Sequence, residues 1–106
     1  MADASFQPWT AKLVERWYLA AWLADPRLHN LGHTEALTWP ALFVLRPEDA
    51  EAFKVWGWAK SQALPMSEVC RGRGWARSTF EKRRVRALVQ IVAGLNAVAA
   101  RAQKVD

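Results

Sequence analysis

The C-terminal part of the chain carries an unbroken helical period, and this feature restricts the fold more than any other. Apolar side chains recur there at three- and four-residue spacing: Phe80, Ala87, Leu88, Ile91, Val92, Leu95, Val98 and Ala99. The period predicts one helix from Arg77 to about Gln103, roughly 27 residues and about 40 Å long at a rise of ~1.5 Å per residue. Because such a helix needs a cover for its apolar face, we expect the first helix of the chain or a second copy of the chain to pack on it.

The first half of the chain predicts one amphipathic helix followed by an irregular segment. The helix runs from about Pro8 or Thr10 to Ala24, and Thr10 is its candidate cap. Residues 25–47 contain three prolines and a glycine, so we expect no long element there. Within that segment, Trp39-Pro40 predicts a rigid corner between an extended strand of chain and a turn.

Two further helices are predicted before the long one. One begins near Pro47, with acids in its first turn, and ends at Leu64-Pro65. Its inward stripe is expected to consist of Phe53, Trp56, Ala59 and Ala63. The other is short, from Met66 or Ser67 to about Arg71, and Ser67 is its candidate cap. The sequence therefore predicts an all-α fold, a small helical domain spanning residues 1–106.

The stretch from Arg71 to Arg86, RGRGWARSTFEKRRVR, concentrates the positive charge of the chain. It holds seven of the fifteen Lys and Arg residues and a single acid, Glu81. Its net charge is +6, so the other 90 residues together carry −1. A solvated helix face usually interleaves charges of both signs, and this imbalance therefore favours a polyanionic partner such as nucleic acid.

The same stretch carries the spacing of a helix-turn-helix motif, at about residues 66–90. Cys70, a small residue, is followed four positions later by Gly74 and ten positions later by Phe80. A small side chain lets two helices cross closely, and glycine adopts the left-handed turn at little cost. Phe80, together with Trp75, is expected to fasten the second helix onto the first, and Cys70 is expected to be packed.

The run SEVCRGRGWARSTFEKRRVRAL resembles the helix-turn-helix of sigma-factor region 4 and of phage domains of that type, over about 25 of the 106 residues. The chain departs from that pattern at Ala76, where a serine usually caps the second helix, and Ser78 with Glu81 offers a capping box instead. Over most of its length, including the Trp39-Pro40 corner, the chain also resembles a small protein family associated with alphaproteobacterial phages and prophages. That resemblance implies a phage-type context and no particular activity.

In such a motif the exposed face of the second helix meets the major groove of DNA. Arg77 and Lys82 are then the candidates for contact with base edges or phosphates, with Ser78 and Thr79 beside them. The remaining basic candidates are expected to contact phosphates and to set affinity; they are Arg71, Arg73, Arg83 and Arg86. Arg84 falls near the core face, where we expect it to extend along the surface or to pair with an acid.

The predicted function is sequence-recognising binding of double-stranded DNA by a transcriptional regulator. Because one motif makes few base contacts, a homodimer or higher homo-oligomer is expected. The apolar C-terminal helix either forms that interface or packs on the first helix. Two alternatives stay open: a DNA-packaging subunit like the small terminase subunits of phages, and a protein-interaction module that binds polymerase or another partner. In the last case the partner surface would be Trp22, Trp39 and Trp58.

Other classes of function find little support in the sequence. Paired carboxylates, a nucleophile with its base and a phosphate-binding loop are missing from the pattern, so we expect neither an enzyme nor a cofactor. Cys70, His29 and His33 fall short of a zinc site, and the histidines lie in the segment predicted to be irregular. Without a signal-peptide pattern or a long apolar run, the chain is expected to be cytoplasmic and to make no membrane contact.

Overall fold

The computed structural model describes residues 8–104, and over that range the chain is helical. It contains five α-helices: α1 Ala11–Leu23, α2 Leu31–Phe43, α3 Pro47–Ser61, α4 Met66–Arg73 and α5 Arg77–Lys104. A short 3₁₀ turn at Pro26–Leu28 connects α1 to α2, and residues 8–104 contain no strand. The predictions of an all-α fold and of one long last helix are confirmed.

The first helix begins and ends close to its predicted limits. The Thr10 hydroxyl accepts a hydrogen bond from the backbone N–H of Leu13 at 3.2 Å, which is the predicted cap. The helix ends at Leu23, and the Asp25 side chain caps the 3₁₀ turn that follows by accepting from the N–H of Arg27 at 3.0 Å. The first helix thus forms where its local signals place it.

The second helix, α2, replaces the irregular segment expected over residues 25–47, so that prediction is wrong. A capping box starts the helix: the Asn30 side chain accepts from the N–H of His33 at 2.8 Å, and Nδ1 of His33 accepts from the N–H of Asn30 at 3.3 Å. His33 thereby lies in a helix and not in a loop. Histidine in place of the usual Glu or Gln hides this cap from a sequence pattern.

The Trp39-Pro40 pair lies inside α2 and does not form the predicted corner. A proline in a helix removes one backbone hydrogen bond and crowds the preceding turn, at a cost of about 3 kcal/mol. Burial offsets that cost here, because Trp39 is only 6% exposed and Pro40 is fully buried. The Trp39 ring also meets the Trp9 ring edge to face at 5.4 Å. Tertiary packing therefore overrides the local signal of the proline.

The corner between α3 and α4 is tighter than predicted. α3 begins at Pro47 as expected, but it ends at Ser61, because Ala63 takes a left-handed φ of 56°. The N–H of Leu64 then donates to the carbonyl of Ala59 at 2.9 Å, which closes the helix end. Ala63 is consequently exposed and does not join the inward stripe. Ser67 does not cap α4, since Pro65 occupies the N-cap position.

The long helix α5 lies across α3 most extensively and also packs against α1, α2 and α4. Phe53 of α3 belongs to the same core cluster as Phe80 and Ile91 of α5, and all three are at most 1% exposed. Two glycines permit close helix packing: a Cβ at Gly57 would lie 2.5 Å from Tyr18 of α1, and a Cβ at Gly94 would overlap a ring carbon of Phe43 at the end of α2. These contacts fix the position of α5, and with it the orientation of the basic stretch.

Candidate nucleic-acid interface

The basic stretch spans the end of α4, a three-residue turn and the start of α5. α4 ends at Arg73, and Gly74 follows with a φ of 70°, the left-handed conformation that its predicted role requires. The N–H of Trp75 donates to the carbonyl of Cys70 at 2.9 Å and closes the end of α4. α5 then begins at Arg77. The two helices are therefore joined by the glycine turn that the spacing predicts.

The apolar residues of this stretch are packed inward. Cys70 is 2% exposed and Phe80 is 1% exposed, as predicted, and Val69 is buried beside them. The rings of Trp75 and Phe80 stack at 5.7 Å and link the turn to the first turn of α5. Cys70 is thus a packing residue with a free, buried thiol. The apolar positions hold α4 against α5 and leave the polar positions on the outside.

Arg84 belongs to the fold and not to the open surface, in agreement with the expectation that it pairs with an acid. Its Nη1 donates to Glu15 of α1 at 2.9 Å, and its Nη2 and Nε donate to Glu81 at 2.7 and 3.2 Å. The guanidinium also lies over the Trp56 ring at 5.1 Å from its centre. Burial lowers the pKa of Arg84, but the bonds from the two carboxylates together raise it above its usual range.

These hydrogen bonds also account for Glu81. The bonds from Arg84 hold the pKa of the Glu81 carboxyl below its usual range. The predicted capping box of Ser78 with Glu81 does not form, because α5 already begins at Arg77 and both oxygens of Glu81 accept from Arg84. The first backbone hydrogen bond of α5 runs from the N–H of Phe80 to the carbonyl of Ala76, at 2.9 Å.

Arg86 was expected to contact phosphate, and the structure places its guanidinium against an acid of α3. Its Nε and Nη2 each donate to Asp49, both at 3.0 Å, in a two-point ion pair. Asp49 is fully buried, whereas 45% of the Arg86 side chain is exposed. The bond to Asp49 raises the pKa of Arg86 above its usual range. Arg86 therefore satisfies a buried carboxylate and joins α5 to α3, a role that the sequence did not predict.

The remaining basic candidates are open to solvent or partly so. Over residues 8–104, no ion pair involves Arg71, Arg77, Lys82 or Arg83. Arg73 makes one long contact, Nη1 to Glu51 at 3.5 Å, and its guanidinium lies 5.2 Å from the centre of the Trp75 ring. This leaves five cations at the surface of the stretch, next to two exposed hydroxyl side chains, those of Ser78 and Thr79.

The outer face of α5 changes character along its length. Ser78, Lys82, Val85 and Val89 recur at four, three and four positions, so they share one face of the helix. The first two are polar, while Val85 is 41% exposed and Val89 is 61% exposed. The polar half of this face lies beside the glycine turn, and the apolar half continues away from it.

A cleft of about 390 Å³ lies between the end of α3, the start of α4 and the start of α5. Its walls include Trp56, Lys60, Met66, Arg77, Glu81 and Arg84. No sequence pattern connects Lys60 with this region, because Lys60 lies eleven residues before the basic stretch. Only the crossing of α3 with α5 brings Lys60 and Arg77 to the same cleft.

The three tryptophans proposed as a partner surface differ in exposure. Trp39 is buried, Trp22 is half-buried, and Trp58 is 36% exposed. The Trp17 ring, at 44% exposure, is the more open one. Large side chains that help to build the core therefore explain part of the tryptophan content.

Two observations concern metals and membranes. Among the described residues, no group of three or more His, Cys, Asp or Glu side chains is arranged to hold a metal ion. The helix over Arg77–Ala102 is long enough and apolar enough to cross a membrane, by length and composition alone. Core helices of soluble proteins also meet this criterion. Only 17% of its most apolar window is buried, so α5 carries uncovered apolar surface.

Comparison with protein families, with curated proteins and with solved structures finds no match to this chain.

Proposed function

We propose that the chain binds double-stranded DNA through α4, the Gly74 turn and the first turns of α5, and that it acts as a phage-type transcriptional regulator. One observation carries the proposal. Five cations of the stretch are exposed or half-buried, and four of them make no ion pair over residues 8–104. A cationic surface held on a rigid helix pair favours a polyanion with a regular backbone.

The roles of the side chains follow from their positions. Arg77 and Lys82, with Ser78 and Thr79, lie on the first turns of α5 and are the proposed contacts to base edges or phosphates at the major groove. The proposed phosphate contacts flank them; they are Arg71, Arg73 and Arg83. Arg86 is not among the proposed phosphate contacts, because its guanidinium forms a two-point ion pair with Asp49.

A second copy of the chain is the proposed partner for the apolar half of α5. A single motif reads few base pairs, and two copies related by a two-fold axis would read two half-sites. Support comes from the exposed Val85 and Val89, which continue the outer face beyond the cationic turns. A DNA-binding role also fits a cytoplasmic location, where the lone Cys70 thiol stays reduced.

The mass of the protein in solution tests the second copy and separates two roles. A dimer supports a regulator, while a ring of eight or more copies supports a DNA-packaging subunit. Val89→Glu should lower the mass to that of a monomer, whereas Leu28→Glu, at a site that is 76% exposed on the 3₁₀ turn, should not. A wild-type monomer at micromolar concentration would contradict both assemblies.

The salt dependence of DNA binding tests the function itself. If the five open cations each neutralise one phosphate, log affinity should fall against log salt with a slope of about −4.5, from ~0.9 per phosphate. Fluorescence anisotropy of a labelled mixed-sequence duplex at several salt concentrations measures this slope. A lack of measurable binding at low salt, or a slope near zero, would refute the proposal.

A further inference from the structure

The cleft between α3, α4 and α5 combines open cations with an anchored floor. Arg84 forms the floor, where Glu15, Glu81 and the Trp56 ring hold its guanidinium in place. Lys60 comes from the last turn of α3 and Arg77 from the first turn of α5. The floor is therefore fixed by three partners, while the two cations on the walls are exposed.

The charge around the cleft is positive after its acids are counted. Among the described residues neither Lys60 nor Arg77 has an ion-pair partner. Glu81 is the one carboxylate in the lining, and Glu15 lies behind Arg84; together they offset Arg84 and one further charge. One positive charge is left over, and it comes from Lys60 and Arg77, which line the same cleft from two helices.

The lining also discriminates among anions. The cleft is wide and open, so it does not enclose a small ion, and part of its wall is apolar, formed by Leu64, Pro65 and Met66. A phosphodiester matches this surface, because it carries one negative charge and is flanked by sugars that pack on apolar groups. A cation from each of two helices fits a single phosphate better than a base edge, which needs a planar two-point donor.

We propose that this cleft holds one backbone phosphate of the bound DNA, with Lys60 and Arg77 as its two cationic contacts. The proposal rests on the proposed function and extends its binding surface to α3, outside the basic stretch. Lys60 then ties the duplex to the α3–α5 crossing and limits the angle at which α5 enters the groove. Arg77, shared between the cleft and the groove, orients the first turn of α5.

Lys54 provides a matched control on the same helix. It is an exposed lysine of α3, six residues before Lys60, and it lies outside the cleft. We expect Lys60→Gln to weaken DNA binding and to make the log affinity–log salt slope shallower by less than about 0.9, because Arg77 still contacts the shared phosphate. Lys54→Gln should leave the slope unchanged within error. Equal circular dichroism and equal melting temperatures establish that both variants are folded.

A double-mutant cycle tests whether the two cations share one phosphate. Arg77→Gln and Lys60→Gln should each weaken binding, and the double variant should lose less than the product of the two single effects. The cycle between Arg77 and Lys54 should be additive. If the wild type binds DNA with a steep slope but Lys60→Gln behaves like Lys54→Gln, this inference is overturned and the proposed function stands. If the wild type does not bind, both are overturned.

Discussion

The basic stretch contains two groups of arginines with opposite surroundings. Arg84 and Arg86 turn toward the body of the protein, where they meet Glu15, Glu81 and Asp49 at hydrogen-bonding distance. Other cations of the same stretch, such as Arg77, face solvent without an acidic partner among residues 8–104. The density of charge along the sequence therefore overstates the charge that is free to meet a ligand.

The difference arises from the acids that the fold brings in. Only Glu81 lies within the stretch, and Glu15 and Asp49 are 69 and 37 residues away from their arginine partners. A buried carboxylate such as that of Asp49 needs a cation, so part of the local excess of positive charge serves stability. One arginine group should thus control folding and the other binding, and the following variants test that division.

Removal of the buried ring should have the largest effect. Phe80→Ala takes away a fully buried side chain that stacks on Trp75, and we expect it to lower the free energy of unfolding by about 3–5 kcal/mol. The neighbouring Thr79→Ala, on the exposed side, should change it by less than about 0.5 kcal/mol. Urea denaturation measures both. Similar losses for the two variants would mean that this stretch does not fasten α4 to α5.

Loss of the Arg86 guanidinium should have the next largest effect. Arg86→Ala leaves the buried Asp49 carboxylate without its two-point partner, so the melting temperature should fall. Addition of Asp49→Asn should restore part of the loss, because the uncompensated charge is gone. Arg83 lies three residues earlier on the same helix and makes no ion pair among the described residues. Arg83→Ala should therefore leave the melting temperature unchanged. An equal fall for Arg83→Ala would erase the distinction between the two arginine groups.

Substitutions at Gly74 and Ala63, two residues with a left-handed backbone, should change the stability of the protein in opposite directions. A left-handed backbone costs a residue with a Cβ about 1–2 kcal/mol. Gly74→Ala should therefore destabilise the protein by about 1 kcal/mol or slightly more, even though a Cβ there would meet no atom within 4 Å. Ala63→Gly, at a φ of 56°, should stabilise it by up to about 1 kcal/mol. Thermal unfolding gives both values, and a shared sign would contradict the backbone account.

The smallest expected effect is the loss, at acidic pH, of the stability that the Glu81–Arg84 ion pair contributes. The bonds from Arg84 lower the pKa of Glu81, so the folded state favours the carboxylate. The resulting stability is fully present above the unfolded pKa of about 4.5 and is lost as the pH falls through the lower folded value. The difference in melting temperature between wild type and Glu81→Gln should be constant near neutral pH and should shrink below about pH 4.5. A difference that did not vary with pH would argue against the ion pair with Arg84.

The local signals of the chain predict much of this architecture. Thr10, Pro47 and Gly74 begin or end helices as expected, and the apolar period places Phe80 and Ile91 in the core. The prediction failed where long-range packing decides the outcome. Burial keeps Pro40 in a helix. Ala63 has a positive φ, a conformation that a sequence pattern predicts only for glycine.

The candidate site divides in the same way. The position of the glycine turn and the burial of Cys70 follow from spacing within one stretch. The partner of Arg86 and the presence of Lys60 in the cleft do not, because both depend on how α3 crosses α5. A sequence pattern reports which residues lie on one helix face, but not which side chain from another helix meets them.

The most direct test of the account compares DNA binding with stability in one variant, Arg77→Ala/Lys82→Ala. Both side chains are exposed, and neither forms an ion pair over residues 8–104, so the melting temperature should stay at the wild-type value. The affinity for duplex DNA should fall, and the slope of log affinity against log salt should become shallower, by up to about 1.8 if each of the two side chains neutralises a phosphate of its own. Unchanged affinity and slope in a folded double variant would contradict the claim that the open cations of α5 bind DNA.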